Sequence, residues 1–127
     1  MKTAKMLGIA TGFLLVATPA LAETPNGEIG YAKGALGYDA LVAGDNHTAL
    51  TQLEAADGVS ANDPARLINL GQAYKRVGRV GDAAQMFRAA MNSNRSFDLV
   101  LANGTVVNSR KAAKLALSEM NTSLAAR

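Results

Sequence analysis

The chain has 127 residues, 49% of them hydrophobic, with 13 basic and 10 acidic residues and no cysteine. That length holds one small domain, and the lack of cysteine excludes a disulfide framework, a thiolate metal site, a cysteine nucleophile and a lipid-modified N-terminal cysteine. Lys2 and Lys5 carry part of the net charge of +3; without residues 1–22 the balance is 11 basic against 10 acidic, a charge of +1, too small for a nucleic-acid footprint.

Those first residues read as an export signal. Lys2 and Lys5 precede an apolar run over residues 6–16, Pro19 breaks it, and Ala20-Leu21-Ala22 has the small-x-small form of a cleavage site. A spanning anchor wants about 20 apolar residues without a breaker. Cleavage after Ala22, a periplasmic location and no stable membrane span thereafter are therefore expected. Residues 23–28, "ETPNGE", follow as a short polar leader expected to be flexible.

From residue 29 the chain repeats itself with a period of 34. Leu36 then meets Leu70, Gly37 meets Gly71, Gly44 meets Gly78, Ala49 meets Ala83, Ala55 meets Ala89, Ala56 meets Ala90, and Leu53 meets Phe87. Each unit reads as two helices. In the first, residues 29–43 run to a turn at Gly44-Asp45, and residues 46–56 form the partner helix. In the second, Asp63 caps a helix with Pro64 at its first position, Leu67, Leu70, Gly71 and Tyr74 follow at helical spacing, and Gly78 is the left-handed stop. Gly81 or Asp82 opens the next helix, with Ala83, Phe87 and Ala90 on one face. Gly71 inside an apolar stripe costs about 1 kcal/mol relative to alanine. Close approach of the paired helices compensates, so Gly37, Gly71, Ala49 and Ala83 are small for packing reasons.

The order Leu67, Leu70-Gly71, Tyr74, Ala83, Phe87, Ala90 resembles the tetratricopeptide repeat: a large apolar residue, Leu-Gly, Tyr, then Ala, Phe and Ala at matching offsets. The likeness extends over residues 29–95, with Arg95 at the late proline position and Lys33 and Ala40 at the aromatic and tyrosine positions of the first unit. It implies two helix-turn-helix hairpins, a fragment of a right-handed solenoid, whose first helices line a concave groove for an extended peptide or partner helix. By motif offset the groove positions are Tyr31, Tyr38 and Leu41 in the first unit and Asn69, Gln72, Lys75 and Arg76 in the second. Tyr31 and Tyr38 share a helix face and suit a binding surface, or alternatively serve as core contacts. Lys75, Arg76 and Arg79 suit an acidic segment or a C-terminal carboxylate, or simply complement the helix dipole.

Residues 98–108, "DLVLANGTVVN", read as a β-hairpin turning at Asn103-Gly104 in a type I′ turn. Leu101 then faces Val106, Val100 faces Val107, and both faces are apolar, so the hairpin should be sandwiched. Ser109 caps a last helix to about Leu124, with Ala113, Leu117, Met120 and Leu124 in one stripe. Residues 96–127 are expected to close the open end of the stack, as a solenoid requires.

Reactive chemistry is sparse. His47, the single histidine, has no carboxylate at metal-ligand spacing, and the chain carries no HExxH, GxSxG or phosphate-cradling loop. The mostly α-helical chain therefore reads as a non-enzymatic interaction module without cofactor or metal, whose partner is a protein or peptide and not nucleic acid. The alternative is self-association through the apolar ends of a two-repeat stack, as an assembly component of the cell envelope.

Overall fold

The computed structural model describes residues 17–19, 31–32, 34–55 and 58–126. The polar leader at 23–28, most of the signal segment, Lys33 and Ala56 lie outside the described residues. In chain order the elements are β1 (Ala17–Pro19), α1 (Tyr38–Ala43), α2 (Asn46–Glu54), α3 (Pro64–Arg76), α4 (Val80–Asn92), β2 (Asp98–Leu101), β3 (Val106–Asn108) and α5 (Ser109–Ala125). The molecule is mostly helical, with a small antiparallel sheet and a C-terminal helix.

The α3–α4 pair follows its local signals closely. Asp63 Oδ1 accepts the backbone N–H of Ala65 at 2.9 Å and of Arg66 at 3.2 Å, capping a helix whose first residue is Pro64. At the other end the Arg79 N–H bonds the Tyr74 carbonyl and the Gly78 N–H bonds that of Lys75, a Schellman closure. Gly44 closes α1 with the same pair of bonds, from Asp45 to Ala40 and from Gly44 to Leu41. Between its ends α3 presents Gly71 to the ring of Phe87 on α4, the close approach expected from the repeat. Leu36, Leu41, Leu53, Ile68, Phe87 and Leu99 are fully buried and belong to one core reaching from the segment before α1 to α5.

The first unit departs from its expected form. Its first helix starts only at Tyr38, because Gly34 and Gly37 take left-handed conformations with φ of +83° and +61° that no helix propagates. Gly37 is thus the N-cap of α1 rather than a mid-helix counterpart of Gly71. It still lies against α2, since a Cβ there would stand 3.1 Å from Leu53 Cγ and 3.2 Å from the Ala49 carbonyl oxygen. In the second unit α4 opens at Val80, ahead of both expected starts, and Asp82 pairs with the N-cap residue Arg79 at 2.8 Å.

The sheet has the order β1-β2-β3, antiparallel throughout. The β2–β3 register is Leu99↔Val107 and Val100↔Val106, one residue from the expected pairing. A three-residue loop causes the slip. The Leu101 N–H bonds the Thr105 carbonyl, the Gly104 N–H returns to the Leu101 carbonyl, and Gly104 takes φ +84°, so Ala102 joins Asn103-Gly104 in the turn. Only one face is buried: Leu99 is fully covered, whereas Val106 is 57% exposed, and the expected sandwich is not formed. In α5 the cap is Asn108, not Ser109, and the buried stripe is Ser109, Ala112, Ala113, Ala116 and Met120. Leu124, expected on that stripe, is exposed. Small residues let α5 lie close on α4, α3 and β3, its neighbours in the fold.

Candidate functional site

α3 is enclosed on most of its circumference. Gly71 faces Phe87 of α4. Arg66 Nε donates to the Leu53 carbonyl on α2 at 3.1 Å. On the α1 side, Asn69 Nδ2 donates to the Leu36 carbonyl at 2.9 Å and Arg76 Nη1 to the Leu41 carbonyl at 2.6 Å. At about 100° per residue, the arc left over runs through Ile68, Gln72 and Lys75. Ile68 and Gln72 are nonetheless fully buried. Among the described elements, β1 and α5 also pack on α3, and they are the remaining candidates to cover this arc.

Gln72 is the unusual residue of the arc. Both of its side-chain amide atoms are buried, and neither finds a hydrogen-bond partner among the described residues. A buried amide left in this state forfeits its hydration without compensation. Lys75 is half-buried at the end of the arc.

The other expected groove residues are spent inside the fold or stand apart. Leu41 and Asn69 are buried, the first in the core and the second holding the segment before α1. Tyr38 opens α1 and is half-buried against the core. Tyr31 donates its hydroxyl to Asp63 Oδ2 at 2.8 Å, with Arg95 Nη1 3.7 Å from the same oxygen. Burial first, and then the Asp63 carboxylate, push the Tyr31 phenol well above its ordinary pKa.

The expected basic cluster does not converge. Arg76 is turned inward, where desolvation lowers its pKa. Arg79 bonds Asp82 and lies over the Tyr74 ring, 4.4 Å from its centroid, while the Tyr74 hydroxyl donates to Glu54 Oε2 at 2.8 Å. Arg76 also lines an open depression of about 290 Å³ together with Leu41, Val42, Ala43, Gly44 and Asn46. His47 is exposed in the first turn of α2, and no three His, Cys, Asp or Glu side chains converge as metal ligands among the described residues.

Two features escape a reading of the sequence. One is the unpartnered state of Gln72, which depends on what covers it. The other is the role of Asp63 beyond capping, where it meets Tyr31 and Arg95. Comparison with protein-family models, with curated proteins and with solved structures finds no match. No helix among the described residues is long and apolar enough to cross a membrane.

Proposed function

We propose that the chain is an exported interaction module of tetratricopeptide type, cleaved after Ala22, which holds an extended peptide of another protein against the arc of α3 that runs through Ile68, Gln72 and Lys75. The observation that carries this reading is Gln72: a buried amide whose hydrogen-bonding capacity is unspent among the described residues, on the arc of α3 that faces neither α1, α2 nor α4. The 34-residue spacing and the Gly71–Phe87 approach support the repeat assignment. The module works by binding and carries out no reaction; neither metal nor cofactor enters its action. A photo-crosslinking residue at position 75, introduced in the intact cell envelope, should trap a discrete protein partner, and one at the exposed Arg88 of α4 should not. Identical products from both positions, or none from position 75, would sink the reading.

A second reading is self-association through α5, where Leu115 is 47% exposed. Light scattering should then give a mass that rises with concentration and reverts with Leu115→Glu.

A further inference from the structure

The loop that joins β2 to β3 carries a reactive pair with no part in the groove. Asn103 is followed by Gly104, and both are exposed. Glycine has no Cβ, so the backbone nitrogen that follows Asn103 is uncrowded. Every other described asparagine precedes a residue with a side chain. A Cβ placed on Gly104 would meet nothing within 4 Å, so the fold leaves this side of the loop open as well.

The turn also poses the asparagine side chain. The Thr105 N–H donates to Asn103 Oδ1 at 3.0 Å. The ring closed by this bond runs through Asn103 Cγ and the Gly104 nitrogen, and it draws the side-chain carbonyl back along the main chain. A donor aimed at that oxygen polarises Cγ and is already in place to hold the negative charge that attack at Cγ creates. One bond works in the opposite direction. The Gly104 N–H donates to the Leu101 carbonyl at 2.8 Å, and that bond has to open before the nitrogen reacts. It belongs to an exposed loop leading into the three-residue strand β3, where local opening costs little.

We propose that Asn103 is a site of spontaneous modification in the folded chain. The Gly104 nitrogen bonds to Asn103 Cγ, the Cγ–Nδ2 bond breaks, and the leaving NH2 takes the Gly104 proton away as ammonia. Water then opens the resulting succinimide at either carbonyl, giving isoaspartate or aspartate. The step needs only water. Isoaspartate routes the main chain through the former side chain, which lengthens the loop by a methylene and sets a carboxylate beside it. The loop fixes the Leu99↔Val107 and Val100↔Val106 pairing, so the longer loop loosens β3 from β2. Because ammonia is lost, the change runs one way and accumulates with the age of the molecule.

The test ages the purified chain under native conditions at mildly alkaline pH and follows tryptic peptides by mass spectrometry. Cleavage at Arg95 and Arg110 isolates residues 96–110, while Lys33 ends the peptide that holds the chain's other Asn-Gly, at 26–27. The 96–110 peptide should gain the mass of an NH2-to-OH exchange, placed at Asn103 by fragmentation, with isoaspartate among the products. Conversion there should outrun that of any other described asparagine by about tenfold or more. Thr105→Pro removes the donor to Oδ1 and keeps the carbonyl that accepts from Leu101. It should slow the reaction about tenfold in the folded chain and leave the rate unchanged in urea. In the converted parent, exchange of the Leu101 amide should quicken. If Thr105→Pro fails to fold, the ranking of asparagines in the native parent decides.

Asn103 left intact overturns the proposal, whether or not Asn26 converts. Aspartate without isoaspartate overturns it too, since direct hydrolysis then replaces attack by Gly104. So does an unchanged rate in folded Thr105→Pro, which removes the turn from the reaction.

Discussion

Replacing Gly71 with alanine sets two opposing effects against each other at one site. Alanine inside a helix is favoured over glycine by about 0.5–1 kcal/mol. The added methyl, however, would stand 2.7 Å from Phe87 Cδ1 and 2.8 Å from Cζ, with Cε1 nearer still. Phe87 is fully buried, so its ring has no solvent to swing into, and relief must come from moving α4 against α3. Overpacking of this kind costs about 1–3 kcal/mol. The clash therefore wins, and Gly71→Ala should lose about 1 kcal/mol net, or about 4–8 °C in melting temperature for a domain of this size. Thermal and urea unfolding followed by circular dichroism measure it. Combining the change with Phe87→Leu should recover stability beyond additivity by about 0.5 kcal/mol or more. A Gly71→Ala melting point at or above that of the parent, or strict additivity in the double variant, would refute the contact as the reason for glycine.

Three further outcomes are expected. Asp63→Ala removes a helix cap worth about 1 kcal/mol and strands the Tyr31 hydroxyl and Arg95, for a total near 2 kcal/mol in urea unfolding; Asp63→Asn, which keeps the capping oxygen, should recover part of it. Tyr31 has its pKa raised by burial and by Asp63, so its contribution is whole below the free phenol value of about 10 and is lost as pH rises through the higher folded value. Stability should thus fall in strong alkali, less steeply in Tyr31→Phe, with Tyr74, also raised by burial and then by Glu54, accounting for part of the remainder. Gln72→Leu should stabilise the full-length chain by about 1 kcal/mol, because it replaces an unpartnered buried amide with an apolar side chain; a lower melting point would mean that the amide is satisfied.

The sequence is most legible where one residue acts through its own backbone. Asp63, Pro64 and Gly78 bound α3 as read, and Gly71 meets the helix it was expected to meet. Legibility declines where the outcome depends on geometry summed over several residues. The Asn103-Gly104 signal located the hairpin, yet drawing Ala102 into the turn shifted every cross-strand pair by one. Gly37 looked like a mid-helix packing residue and instead, with Gly34, stops the helix short, because its effect on the helix lies in φ. In the candidate site, spacing selected Gln72 and Lys75 together with Leu41, Asn69 and Arg76, but spacing does not tell a side chain facing a groove from one bonded to a neighbouring backbone carbonyl. The pairing of β1 with β2 joins residues about eighty positions apart, and nothing local announces it.

Asp63 has a consequence for how the molecule comes apart. Helical pairs stacked in a row ordinarily feel only their neighbours, so the terminal pair can fray while the rest persists. Here one carboxylate receives Tyr31 from before α1, the backbone of α3, and Arg95 from beyond α4. Two long stretches of chain are gathered at a single point, like cords through one eyelet. Loosening the segment before α1 therefore slackens the cap of α3 and the segment leading into the sheet, so these parts open together as one cooperative unit.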